Sequence, residues 1–144
     1  MKAVMRTLAL LMLASFTMSA YSASKTILVL GDSLSAEYGL ARGEGWVNLL
    51  QKKLEAEKIT ASIVNASISG ETTSGGAARL QTLLDKHQPA VVVIELGAND
   101  ALRGLSLIAT QQNLRNMVAA AKKAKARVLL LSLIHISEPT RQAE

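Results

Sequence analysis

At 144 residues the chain is long enough for one domain with its own core; at 49% hydrophobic and 19% charged it is not a disordered chain, and its lack of cysteine excludes disulfides, thiolate metal sites and a cysteine nucleophile. The formal net charge of +5 falls to +3 once Lys2 and Arg6 of an N-terminal leader are set aside. The clustered cations Lys122, Lys123, Lys125 and Arg127 sit at a predicted helix end, where they complement the helix dipole, and no interleaved aromatics or nucleic-acid motif accompany them.

The leader comes first in the chain. Met1 to Arg6 is short and basic, Thr7 to Met18 is apolar but short for a membrane span, and Ala20-Tyr21-Ser22 is a small-x-small cleavage site. Residues 1–22 therefore read as a secretory signal cut after Ser22. That predicts a periplasmic or secreted protein with no stable membrane insertion after cleavage.

Residues 23–132 read as one domain. Thr26–Leu30 is a short apolar run, expected as a central strand, and it ends in Gly31-Asp32-Ser33. Val47, Leu50 and Leu54 recur at helical spacing after Gly45, with Lys52, Lys53, Glu55 and Glu57 turned outward. Thr60–Val64 is a second strand, followed by Ala66-Ser67-Ile68-Ser69-Gly70. Thr73 or Ser74 caps a second helix carrying Ala77, Leu80, Leu83 and Leu84 on one face.

After Pro89, Ala90–Leu96 is continuously apolar and β-branched except for Glu95, as expected of a strand covered on both faces. Glu95 is placed at the edge of the candidate site or paired with Arg103. Thr110–Lys125 is a third helix, with Leu114, Met117, Val118 and Ala121 at i, i+3, i+4 and i+7. Arg127–Leu133 is a fourth strand. Alternation of strand and helix argues for βαβ crossovers and a parallel sheet, hence an α/β fold. No helix follows to cover the outer side of the fourth strand. Residues 133–144 are expected to be a non-native tail, since they resemble translated sequencing-adapter DNA fused to a truncated reading frame.

Three strands thus end in polar, glycine-marked turns, which a parallel sheet brings to one edge, where open α/β sheets bind their ligands. A serine at such a strand-to-helix turn exposes its hydroxyl to substrate and its N–H to a developing oxyanion. Each turn also has a plainer use. Gly31-Asp32-Ser33 suits a turn with a helix N-cap, Gly70 a positive-φ turn, and Asn99-Asp100 ordinary turn chemistry. Asp32 reads as a structural group that bonds loop N–H groups. Trp46 reads as core. Tyr38 and Leu40, in the loop after the serine, either line an acyl pocket or pack the loop.

Taken together, Gly31-Asp32-Ser33-Leu34-Ser35, Asn65 to Gly70 and Gly97-Ala98-Asn99-Asp100 resemble the first three motif blocks of the SGNH (GDSL) hydrolases, with the resemblance extending over residues 25–132. The wording is most similar to the bacterial periplasmic arylesterase type, which includes multifunctional acyl-thioesterase, lysophospholipase and protease members. The resemblance implies a three-layer, flavodoxin-like α/β fold with a parallel sheet, here without its last strand and C-terminal helix. It implies a serine ester or thioester hydrolase acting through an acyl-enzyme on Ser33. Gly70 through its N–H, Asn99 through its side-chain amide and the Ser33 N–H itself would form the oxyanion hole. No metal and no cofactor are implied. The implied substrates are small-molecule acyl esters or thioesters and lysophospholipids.

The fourth block of that family, Asp-x-x-His near the C-terminus, has no match. The histidines are His87 and His135, and neither is carried over as the catalytic base. The catalytic His and Asp are thus absent, and the chain as written is expected to be nearly or wholly inactive. Two other readings remain open: a flavodoxin-like module cradling phosphate or flavin, and a carbohydrate O-acetyl esterase. The first lacks both G-x-G-x-x-G and G-x-x-x-x-G-K-[ST].

Overall fold

Leu28, Val29 and Leu30 are fully buried in the computed structural model, which describes residues 25–131. The expected leader, the tail, His135 and the expected strand end at Leu133 lie outside these residues. The described elements are β1 (Lys25–Gly31), α1 (Trp46–Ala56), β2 (Ala61–Asn65), α2 (Thr73–His87), β3 (Val91–Glu95), α3 (Ala98–Leu102), α4 (Leu107–Lys123) and β4 (Arg127–Leu130). The four strands form one parallel sheet in the order β2-β1-β3-β4.

Alternation along the strands sorts the core into two faces. Leu28 and Leu30 of β1 and Val92 and Ile94 of β3 pack with Leu80 and Leu84 of α2 and Met117 and Ala121 of α4. Val29 and Val93 point the other way and meet Val47, with Trp46 packed against them. Helices therefore cover both faces, giving three layers. Each large apolar side chain fully withdrawn from water contributes about 1.5–3 kcal/mol, so β1 and β3 anchor the fold.

The chain steps from β1 to β2 on one side and then returns to place β3 on the other. The strand order reverses between β1 and β3, which makes a crevice outside their carboxyl ends. Gly31 and Glu95 are the paired last residues of the two strands at that point.

Several boundaries differ from expectation. The α2 cap is Thr72, whose hydroxyl accepts from the Gly75 N–H at 3.3 Å; Thr73 is instead fully buried and turned toward Asp100. The five-residue α3 has too few turns to show a period in sequence, and it starts from Gly97 at φ +119°. The helix expected from Thr110 starts at Leu107, because Ser106 caps it by accepting from the Ala109 N–H. On β4, Leu129 and Leu130 are about half exposed. No helix among the described residues is long and apolar enough to cross a membrane.

Candidate active site

Ser33 owes its position to the residues around it. A Cβ on Gly31 would lie 2.6 Å from Ser35 Oγ and 3.0 Å from Glu95 Oε2, so only glycine lets the strand end pass under the turn. Beyond it the chain winds into a tight turn: the Ala36 N–H donates to the Asp32 carbonyl (2.9 Å) and the Tyr38 N–H to the Ser33 carbonyl (3.1 Å). Asp32 is buried, and its Oδ1 accepts from the Leu34 N–H at 3.1 Å. This is the loop-bonding role its side chain type suits. Ser33 is left partly exposed, with no partner for its hydroxyl among the described residues.

The other two blocks are tied directly to this turn. The Ala66 N–H donates to the Val29 carbonyl (2.8 Å) and the Ile68 N–H to the Gly31 carbonyl (3.0 Å), so the loop after β2 continues along the end of β1. Asn65 Nδ2 donates to the Ser35 carbonyl at 2.7 Å. That loop then reaches Gly70, at φ +77°, whose carbonyl accepts from Arg103 Nη2 at 2.7 Å. From the third block, Asn99 Nδ2 donates to Asp32 Oδ2 and to the Glu71 carbonyl, each at 3.0 Å. All three motif blocks meet at the carboxyl edge of the sheet. The N–H groups of Ser33 and Gly70 have no acceptor among the described residues, whereas both amide hydrogens of Asn99 are engaged.

Other candidate residues lie elsewhere. His87 ends α2 and precedes β3, at the opposite end of the strands from Ser33. Tyr38 and Leu40 follow the turn and are 78% and 54% exposed, on open surface. Glu95 does not pair with Arg103. Its carboxylate turns inward to the Ser33 turn, while Arg103 reaches the Gly70 carbonyl. The apolar surroundings of β3 make an inward carboxylate pair with the nearest buried donors rather than with a cation at the rim.

Those donors were not visible in sequence. Glu95 Oε2 accepts from the Ser35 hydroxyl (3.0 Å) and from the Asp32 N–H (3.4 Å), and Trp46 Nε1 donates to Ser35 Oγ (3.2 Å). Burial pushes the Glu95 carboxyl above its ordinary range; the Ser35 hydrogen bond opposes this, and the negative charge of Asp32 adds to it. A second buried group, Asp100, accepts from the Thr73 N–H (2.9 Å), the Thr73 hydroxyl (2.6 Å) and the Thr110 hydroxyl (3.1 Å). Asn113 Nδ2 donates to the same Thr73 oxygen at 3.1 Å. This network locks the start of α2 to α3 and α4 behind the site. A lone carboxylate in an apolar strand was the one legible sign of Glu95's role, and its partner lies 60 residues away in sequence. Among the described residues no group of three or more His, Asp or Glu side chains could hold a metal ion.

The reversal point of the parallel α/β sheet carries a serine turn flanked by N–H groups that have no acceptor among the described residues. Residues 29–144 match the GDSL-like Lipase/Acylhydrolase family, and the chain belongs to it. Among curated relatives, Esterase TesA of Pseudomonas aeruginosa is 50% identical over 121 residues, 84% of this chain and 60% of the relative. Thioesterase 1/protease 1/lysophospholipase L1 of Escherichia coli strain K12 is 46% identical over 112 residues, 78% of this chain and 52% of the relative. Among solved structures, a crystal structure of TesA superposes with a TM-score of 0.75 at 53% identity, covering 76% of this chain and 61% of that one. AlinE4, an SGNH-hydrolase family esterase, superposes with a TM-score of 0.70 at 41% identity, covering 74% and 58%. The chain spans 52 to 60% of the length of these two curated relatives.

Proposed function

We propose that Ser33 is the nucleophile of an ester and thioester hydrolase that works through an acyl-enzyme. The observation that carries this reading is the pair of unengaged N–H groups, on Ser33 and Gly70, on two loops bonded to each other beside a partly exposed serine hydroxyl. Acyl transfer builds negative charge on the carbonyl oxygen, and donors already aimed at that position stabilise it; one such donor is typically worth about 3–4 kcal/mol. Asn99 is the third donor. Both its amide hydrogens already have acceptors, so it serves the oxyanion by turning one of them away from the Glu71 carbonyl.

Serine is a weak nucleophile without an adjacent base. His87 is at the wrong end of the sheet, so the base comes from outside residues 25–131. With it in place, Ser33 Oγ attacks the acyl carbon as the base takes its proton. The alcohol or thiol departs with that proton, and water then releases the acid from the ester on Ser33. The 144-residue chain, which carries no Asp-x-x-His, is expected to fall at least about 10⁴-fold below a complete enzyme. The substrate classes are those in the relatives' names: esters, thioesters and lysophospholipids. An acylhydrolase family favours this chemistry over a flavin- or phosphate-binding module, and the buried Asp32 carboxylate beside the turn would repel a phosphate. We propose that residues 1–22 act as a secretory leader that directs the protein to the periplasm or the secreted fraction, which mass spectrometry of the mature N-terminus tests.

The direct test extends the chain through a family Asp-x-x-His block and follows p-nitrophenyl ester, acyl-CoA and lysophospholipid hydrolysis with and without Ser33→Ala. Loss of all three activities in the variant is expected. Turnover that survives it removes Ser33 from the mechanism.

A further inference from the structure

The Ser33 turn is gripped from below by a single carboxylate oxygen. Glu95 Oε2 accepts from the Asp32 N–H, on the residue before Ser33, and from the hydroxyl of Ser35, two residues after it. Ser35 is 1% exposed, and its Oγ also accepts from Trp46 Nε1 at 3.2 Å. The Ser35 carbonyl takes the Asn65 amide from the other side. Gly31 leaves the space this grip needs, since a Cβ there would collide with Ser35 and crowd Glu95 Oε2 at 3.0 Å.

We infer that Glu95 is a positioning residue for Ser33, acting through the Asp32 N–H and through a hydrogen-bond chain from Trp46 to Ser35 to Glu95. The inference deepens the assignment of Ser33 as nucleophile and rests on it for its catalytic meaning. Its physical content is separate: the conformation of the turn depends on what Glu95 offers at Oε2.

Three features make Glu95 more than a packing residue. It is a carboxylate at the end of an otherwise apolar strand, where a valine or leucine would bury the same surface without desolvating a charge. Its two contacts both land on the five-residue stretch that carries Ser33, and none lands on the helices behind. Lastly, it is paired in register with Gly31, so a shift of its carboxylate is passed to the turn over one residue of β1.

The chain of bonds also makes the carboxylate a switch for the turn. Protonating Glu95 weakens Oε2 as an acceptor for both donors, and ionising it strengthens both bonds while setting a second negative charge beside Asp32. Asp32, from the β1 turn, is the titratable neighbour that acts on Glu95 among the described residues; α1 presents the neutral Trp46, and β2 presents the neutral Asn65 to the turn.

Trp46 is the chain's single tryptophan, so its emission reports on this chain of bonds without interference from another indole. The experiment titrates the 144-residue chain from pH 4 to pH 9. It follows Trp46 emission and the ¹⁵N–¹H shifts of the Ser33 and Leu34 amides in the wild type, Glu95→Gln and Ser35→Ala. In the wild type, emission and both amides are expected to move together in one transition whose midpoint lies above the ordinary glutamate range. Glu95→Gln, which keeps an acceptor oxygen but cannot ionise, is expected to lose the transition and hold the turn amides near one fixed position. Ser35→Ala is expected to lose the Trp46 transition while the amides keep theirs, because the Asp32 N–H still meets Glu95.

A transition of the same size in Glu95→Gln overturns the inference, as does a wild-type titration that leaves the Ser33 and Leu34 amides unmoved. Should Glu95→Gln not fold, Ser35→Ala decides alone: a Trp46 transition that persists there overturns it. None of these readouts involves ester hydrolysis, so a failed nucleophile assignment and a failed positioning role give different results.

Discussion

The side-chain amide of Asn99 donates to Asp32 Oδ2 at 3.0 Å, joining the start of α3 to the turn after β1 across 67 residues of sequence. The other oxygen of the same carboxylate takes the Leu34 N–H. Asp32 thus orients a candidate oxyanion donor and shapes the turn of the candidate nucleophile. The middle residue of Gly31-Asp32-Ser33 is the structural centre of the motif, and the last is the proposed nucleophile.

That division of labour predicts unequal losses of stability for adjacent substitutions. Asp32→Ala removes two hydrogen bonds to a carboxylate and leaves the Leu34 N–H and one Asn99 amide hydrogen without an acceptor, which should lower stability by about 3 kcal/mol. Ser33→Ala removes a hydroxyl with no partner among the described residues, so its effect should stay within about 0.5 kcal/mol. Urea unfolding followed by Trp46 emission measures both. Equal losses in the two variants would contradict this assignment of roles.

Gly31→Ala tests the close passage beneath the turn. Its Cβ would stand 2.6 Å from Ser35 Oγ and 2.7 Å from Ser35 Cβ, and Ser35 is held by Glu95, Trp46 and Asn65. A held neighbour cannot yield cheaply, so a loss of about 2–3 kcal/mol is expected. Gly39, in the same loop, has open space around it, so a Cβ there meets only the strain of φ +79° and should cost about 1 kcal/mol. The two urea midpoints give the comparison.

Asp100→Ala should be the most disruptive change behind the site. The carboxylate is 2% exposed and serves three donors from Thr73 and Thr110. Its removal leaves the buried Thr73 N–H without a partner at the start of α2, at a cost of about 3 kcal/mol or more. Asp100→Asn keeps one acceptor oxygen and should recover part of that loss. Hydrogen exchange localises the damage: the first turn of α2 should lose protection before β1 does.

The Glu95 carboxyl makes stability depend on pH with a definite sign. Burial, assisted by the charge of Asp32, raises it in the folded state, so the native protein binds more protons than the unfolded chain between the ordinary glutamate range and the raised value. Its contribution is fully present below that window and is lost as pH rises through it. Glu37 runs the other way. The Gly45 and Gly43 N–H groups hold it low, so its contribution is lost as pH falls. The difference in urea midpoint between wild type and Glu95→Gln isolates the first effect, and wild type should lose ground to the variant as pH increases.

Much of the fold was legible before any coordinates. The short apolar run Thr26–Leu30 marks a central strand, and Ala90–Leu96, apolar except for Glu95, marks a strand covered on both faces, because a doubly covered strand has little polar side to show. The spacing of Leu80, Leu83 and Leu84 marks the buried face of α2, and that of Leu114, Met117, Val118 and Ala121 the buried face of α4. Strand-helix alternation then leads to a parallel sheet, and the glycine-marked strand ends to its carboxyl edge. Local pattern reaches this far because backbone period and side-chain polarity are properties of neighbouring residues.

Tertiary structure alone decided which polar groups meet at that edge. Nothing near Glu95 in sequence points to Ser35 and Trp46, nothing near Asn99 to Asp32, and nothing near Arg103 to the Gly70 carbonyl. A hydrogen bond joins atoms that the reversal of strand order brings within 3 Å or so, and that reversal is a property of the whole sheet. Sequence named the serine and the kinds of group around it. The packed sheet determined which donor and acceptor each one finds.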